Sequence, residues 1–175
     1  MADCINALTE WTGKARATVV YDSTVDEFTG NGLFRMVMGK PNVALIGFTI
    51  QGDVFGGFYT VAATKQDRWF NDPNIFAFSF ESHGRCETPQ RFVVKEGLRE
   101  KAHVYFLKNN IFRFVEFWVA GAGGFYLGDE RSDSNYWNVS RVSDAFEGLQ
   151  GTTLTGKNVP SGHHHCARLV AVELE

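Results

Sequence analysis

The sequence predicts a β-sandwich-like α+β domain, mainly β, and three observations carry that prediction. Phenylalanine occurs 16 times against 3 methionines, and aromatic side chains suit a pleated, half-buried surface. About eight or nine strand-like runs follow one another at short spacing, with helical patterns only near the start. The third observation is Gly52-Asp53-Val54-Phe55-Gly56-Gly57-Phe58-Tyr59, a strand pattern broken by a glycine pair. Glycine inside a strand marks a bulge or a close approach of other chain. Gly56 and Gly57 therefore predict large side chains lying across a bare patch of sheet.

Taken in order, residues 3–12 predict a short amphipathic helix with Asp3 as its cap, Ile5, Leu8 and Trp11 on one face, and Gly13 as its stop. Residues 17–21 form a strand ended by the turn-forming Asp22-Ser23-Thr24. A second helix runs from near Asn31 to Met38 with Leu33, Phe34, Val37 and Met38 on one side, and Gly39-Lys40-Pro41-Asn42 stops it. Residues 43–50 are a near-continuous apolar strand whose hairpin partner spans 53–63. A polar loop over 65–74 leads to residues 75–80, where strict alternation puts Phe76, Phe78 and Phe80 on one face. Further strands are expected at 91–95, 102–107, 111–119 and 124–127, with Asn109-Asn110 as a tight turn. A polar loop extends through Asn135 to Lys157, and residues 167–174 close the domain. The chain of 175 residues fits one domain, with its core at about 11–175.

Hydrophobic residues are 44% and charged residues 21% of the chain, which excludes wholesale disorder. A net charge of −3 with both signs mixed disfavours a nucleic-acid partner. Met1-Ala2-Asp3-Cys4 shows no basic region followed by an apolar run, so no secretory signal is expected. The longest apolar stretch, 111–125, is interrupted by Arg113 and Glu116, so no membrane insertion is expected. Three widely spaced cysteines, Cys4, Cys86 and Cys166, fit reduced thiols in the cytoplasm or nucleus. Asn138-Val139-Ser140 matches a glycosylation sequon, which carries no weight without secretion.

No motif identifies a chemical reaction. His163-His164-His165-Cys166 has the ligand types of a zinc site, but adjacent strand residues alternate faces and no second pair completes the set. Gly121-Ala122-Gly123-Gly124-Phe125 lacks the Gly-Lys-Ser/Thr ending of a phosphate-cradling loop. Asp22, Asp26 and Glu27, and likewise Asp129, Glu130 and Asp133, lack the spacing of a calcium loop and read as turn and capping carboxylates. Cys86 stands beside His83 and Arg85 in a polar loop, where cationic neighbours would lower its pKa, and is the candidate redox-responsive thiol.

Several of these segments, in this order, resemble the TLDc family, the domain recurrent in oxidation-resistance proteins. Tyr21-Asp22-Ser23 resembles its early Tyr-x-Ser segment, Val54-Phe55-Gly56-Gly57-Phe58 its Val-Phe-Gly-Gly strand, and Phe76-Ala77-Phe78-Ser79-Phe80 its Phe-x-Phe-Ser strand. Residues 121–129 are similar to the later Gly-Pro-x-Phe-Gly-Gly…Asp block without its proline, and 170–174 to the closing strand with its glutamate at Glu173. The chain thus looks like a short, divergent single-domain member. The resemblance implies a sandwich of two antiparallel sheets with a few short helices and no cofactor. It also implies a non-enzymatic role in the oxidative-stress response through protein contacts, with the vacuolar proton ATPase as partner. The candidate contact surface is the end of the sandwich near 121–129 together with the last strand, with Gly123, Gly124, Asp129 and Glu173 as its residues. Two rival readings stand beside it. One is a nucleic-acid-binding transcriptional regulator using Arg85, Arg91, Lys95, Arg99 and Lys101, whose field Glu87, Glu96 and Glu100 dilute. The other is a thiol-based redox protein using Cys86 or Cys166.

Overall fold

The computed structural model describes residues 1–132, 141–156 and 165–175. Among them, ten strands form two antiparallel sheets, with short helices at their margins. The strands are β1 (Ala17–Asp22), β2 (Val43–Thr49), β3 (Val54–Tyr59), β4 (Trp69–Asn71), β5 (Phe76–Glu81), β6 (Gln90–Val93), β7 (Ala102–Phe106), β8 (Arg113–Val119), β9 (Gly123–Gly128) and β10 (Cys166–Leu174). Helix α1 covers Ala2–Thr12, α2 Gly30–Val37 and α3 Val142–Ala145, and a 3-10 helix covers Glu96–Lys101. One sheet runs β1-β10-β2-β3-β5-β6 and the other β4-β7-β8-β9.

The inner faces of the two sheets enclose the main core, built on Phe55, Phe106, Phe117 and Phe125 with Leu33, Phe34 and Val37 of α2 closing one side. Phe117 and Phe125 stack at 5.2 Å, 13° from parallel. Each such ring contributes on the order of 1.5–3 kcal/mol by leaving water. The outer face of the six-stranded sheet carries a second core, in which Cys4 and Leu8 of α1 cover Ile46, Phe58, Phe76, Phe78 and Val172. The molecule is therefore layered as helix, six-stranded sheet, four-stranded sheet.

The glycine pair occupies the point where three of these layers meet. A Cβ on Gly57 would lie 2.6 Å from the Phe117 ring of the opposite sheet. On Gly56 it would meet the Leu45 carbonyl oxygen at 1.8 Å and the Phe78 ring at 2.8 Å. The bare patch is real, and it is bare on both faces. The alternation over β5 also holds: Trp11 stacks on Phe80 (5.6 Å, 4°) and meets Phe76 edge-on at 6.3 Å.

Local details depart from the sequence reading. Met1, not Asp3, is the N-cap of α1, and Asp3 sits in the first turn where the helix dipole favours a carboxylate. The buried face of α1 uses Cys4 and Leu8 while Ile5 is only half-buried, because Cys4, Leu8 and Trp11 align at helical spacing. Gly13 does stop this helix, with φ 68° and its N–H on the Thr9 carbonyl. Met38 falls outside α2 and is 53% exposed. The expected polar loop at 65–74 contains β4, held on β7 by Trp69, whose ring lies 4.2 Å from that of Tyr105 and 4.1 Å from that of His103. The 3-10 helix and α3 are absent from the sequence pattern; at six and four residues they are too short to carry an apolar period.

Candidate functional site

Strand direction decides which loops share an end of the sandwich. Asp22 pairs with Val170, Thr49 pairs with Cys166, and the Ile50 N–H reaches the His165 carbonyl. The end of β1, the β2–β3 hairpin and the start of β10 therefore lie together. In the other sheet Gly128 pairs with Arg113, and the Asp129 N–H reaches the Phe112 carbonyl. Asp129 also lies close enough to the Cys166 thiol to act on it electrostatically, so the β7–β8 hairpin joins the same end. Four large apolar side chains on these loops are exposed: Val25 is 83% exposed, Ile50 61%, Ile111 60% and Phe112 42%, the last with the Arg131 guanidinium carbon 5.3 Å from its ring centre.

The loops that carry them are fixed by ion pairs and turns. Asp22 takes Arg168 bidentately, at 3.0 Å from Nε and 2.5 Å from a terminal nitrogen. That guanidinium holds the Asp22 carboxyl down at about 2. Asp26 accepts the Asp22 N–H, and Glu27 pairs with Arg35 at 3.1 Å. Asp53, with 2% of its side chain exposed, receives Arg85 at 2.5 Å; the same guanidinium donates to the Thr153 and Leu154 carbonyls. Asn110 Oδ1 accepts from the Phe112 and Arg113 N–H groups, which sets the β7–β8 hairpin. All these carboxylates and amides work as turn and loop clamps. A cleft of about 340 Å³ opens beside Ile111, between the start of α2 and the β7–β8 hairpin, with Asp129 and Arg131 on its wall.

The sequence-derived candidates fall in different places. Asp129 is at the loop end, 6% exposed, its carboxylate closed by the Arg131 backbone N–H (2.9 Å) and guanidinium (2.6 Å). Glu173 lies near the far end of β10, seven residues from Cys166 and thus roughly 23 Å away, paired with Lys40 at 2.7 Å. Asp129 and Glu173 therefore do not share a surface. Gly123 and Gly124 serve packing: a Cβ on Gly124 would strike the Phe117 carbonyl oxygen at 2.1 Å, and one on Gly123 would press on the Arg141 backbone at 3.2 Å.

The thiols are also placed. Cys86 is half-buried, its N–H on the Ser82 hydroxyl at 2.7 Å. Its cationic neighbours are turned elsewhere, Arg85 to Asp53 and His83 to the Gln51 carbonyl at 2.9 Å. Cys166 is 2% exposed, and burial pushes its thiol up to about 12. Burial also raises Cys4. All three thiols are free. His163, His164 and the Asn138 sequon lie outside the described residues. Among the described residues, no three His, Cys, Asp or Glu side chains gather closely enough to hold a metal ion, and no helix is long and apolar enough to cross a membrane.

The four exposed apolar tips escape the sequence reading. For Val25 and Ile50 the signal is a lone large apolar residue inside a polar turn, Thr24-Val25-Asp26 and Thr49-Ile50-Gln51; for Ile111 and Phe112 it is an apolar pair just after the Asn109-Asn110 turn. Comparison with family models found no match, and comparison with curated proteins found no significant relative.

Proposed function

We propose that this domain is a non-enzymatic contact module whose loop end docks on a folded protein partner. The observation that carries this reading is the exposure of Val25, Ile50, Ile111 and Phe112 at one end of the sandwich. Large apolar side chains grouped on a rim of paired charges are the composition of a docking surface. The clamps behind them, Asp22–Arg168 and Asp53–Arg85, present the tips in a fixed arrangement, which lowers the ordering cost of association. The burial of Cys4 and Cys166, together with the pairing of Arg85, favours contacts over thiol chemistry, since the thiolate is the reactive form. The resemblance to the TLDc family supplies the class of partner, the vacuolar proton ATPase, and the setting, the oxidative-stress response.

The test is capture by the tagged chain from control and peroxide-treated lysate, with and without nuclease. Proton-pump subunits should be retained through nuclease treatment, and Ile111→Asp with Phe112→Asp should abolish their capture without lowering the melting temperature. Recovery of nucleic acid, with all partners lost on nuclease treatment, would transfer the function to the regulator reading. Capture of the pump undiminished by the double substitution would remove the loop end from the interface.

A further inference from the structure

The opposite end of the molecule carries a different feature. A cleft of about 300 Å³ opens there, between the C-terminus of α1 and the β5–β6 edge of the six-stranded sheet. This volume is at the lower bound of small-ligand sites. Three cations, Lys14, Arg91 and Arg99, line it, and no Asp or Glu does. In a chain with 20 acidic and 17 basic residues, a wall of one sign is a departure from the general mixture.

The three cations differ in their freedom. Arg91 is committed, donating to the Trp11 carbonyl at 2.5 Å with its guanidinium carbon 6.0 Å from the Phe76 ring centre. Lys14 is half-buried and Arg99 exposed. Among the described residues neither side chain has an ion-pair or hydrogen-bond partner. Both cations are therefore available to pair with an anion held in the cleft. Asp72 touches this site only from behind. It is 0% exposed, and Thr60 N, Thr60 Oγ, Val61 N and Asn74 N already occupy its oxygens.

The floor beneath the cations is aromatic. Phe58 and Phe76 stack at 4.9 Å and 26°, and Trp11 stands edge-on to Phe76. Both phenylalanines are buried (4% and 5% exposed) and lie beneath the cleft, so the aromatic ring within reach of a ligand is the half-buried Trp11 on its wall. Asn42 and Thr60 add half-buried polar groups to the wall. Unpartnered cations beside an accessible indole match a small molecule with an anionic group at one end and a planar ring at the other. Arg and Lys meet phosphate and carboxylate equally well. An extended nucleic acid fits less well, because Glu96 and Glu100 flank Arg99 along the chain and break the cationic track such a polymer needs.

We propose that this cleft binds a small aromatic anion, a nucleoside monophosphate or an aromatic carboxylate, whose charged group is met by Lys14 and Arg99 and whose ring packs against Trp11. Trp11 lines the cleft, so its fluorescence reports occupancy. The experiment titrates the full chain with adenosine monophosphate, adenosine, inorganic phosphate, 1-naphthoate and an oligouridylate, by fluorescence and by calorimetry. Saturable binding of the monophosphate or of naphthoate is expected, and whichever binds more tightly identifies the source of the anion. Adenosine and phosphate alone should each bind at least about tenfold more weakly, since each lacks half of the recognition. Lys14→Glu with Arg99→Glu should weaken the bound anion by about tenfold or more at unchanged melting temperature. Lys14→Arg should retain binding. Binding that charge reversal leaves untouched, adenosine binding as tight as the monophosphate, or no saturation by either aromatic anion at millimolar concentration would each overturn the proposal. An oligouridylate binding far more tightly than both would reassign the cleft to single-stranded nucleic acid.

Discussion

The two ends of this sandwich are built from the same strands and reach opposite chemistries. At the loop end three carboxylates behind the tips are spent: Asp22 on Arg168, Asp53 on Arg85, Asp129 on Arg131. The large side chains exposed there are apolar, Val25, Ile50, Ile111 and Phe112. At the cleft end the apolar groups are spent, Phe58 and Phe76 on each other and on Trp11, and what remains unpartnered is Lys14 and Arg99. Function in a binding module resides in groups the fold leaves unsatisfied, because satisfied groups have little to gain from a partner. The first end is thus suited to a large complementary surface and the second to a small anion.

The strongest way to break both ends together is to disturb the sheet they share. Gly56 sits in mid-strand where a methyl would lie 1.8 Å from the Leu45 carbonyl oxygen, and that oxygen belongs to β2, whose register is fixed on β3 and β10. Gly56→Ala should lower stability by about 3 kcal/mol or more, read as the denaturant midpoint. Gly97→Ala is the control, since a methyl there meets nothing within 4 Å, and its effect should stay within about 0.5 kcal/mol. A neutral Gly56→Ala would mean that β2 can shift on β3, and the two ends would then not be rigidly related.

Each end should also break separately. Asp53→Ala leaves Arg85, with 25% of its side chain exposed, facing a buried site without its carboxylate. The expected loss is about 2–3 kcal/mol, toward the lower side of buried-pair deletions because Arg85 retains two carbonyls and some water. It should diminish partner capture through the Ile50 hairpin and leave anion binding intact. Trp11→Ala removes a half-buried ring from Phe76, Phe78 and Phe80 and should cost about 2 kcal/mol. It should abolish anion binding, measured by calorimetry, and leave capture at the loop end unchanged. If either substitution silences both activities, the two ends are coupled through the core.

Sequence periodicity made the strands legible because the signal is local. Phe76, Phe78 and Phe80 declare one face of β5 with no knowledge of what covers them, and Gly56-Gly57 declares that something does. The identity of the cover was not legible: Trp11 stands 65 residues from Phe76 in the chain, and Phe117 60 residues from Gly57. β4 was missed because three residues are too few to show a period, and its stability comes from Trp69 on Tyr105. The site residues fared worse for a related reason. Asp129 and Glu173 were grouped because sequence order does not show which end of β10 meets the end of β9. Once β10 has a length and a direction, they separate to opposite regions. Val25 and Phe112, or Lys14 and Arg99, become partners only after the strand ends are sorted, and no local pattern performs that sorting.

The subtlest contrast between the ends is in their response to acid. Asp22 holds its proton only near pH 2 in the folded chain against an ordinary value of 3.8, mainly because of Arg168. A lowered folded value means that the ionised form favours folding. The contribution is complete above about pH 4 and is lost as pH falls through about 2. The Asp22 side chain is 17% exposed and Arg168 38%, so after solvent screening the contribution is about 1 kcal/mol rather than the full linkage value. Asp22→Asn should therefore lower stability by about 1 kcal/mol at neutral pH and flatten the decline between pH 4 and 2. Arg168 also anchors the start of β10 beside the Val25 turn, so acid should loosen the loop end first. Hydrogen exchange at Ser23 and Leu169, whose amides bond across this junction, should accelerate before any change in Trp11 fluorescence. If both signals moved together on acidification, the sandwich would open as one unit, and the independence of its two ends would be lost.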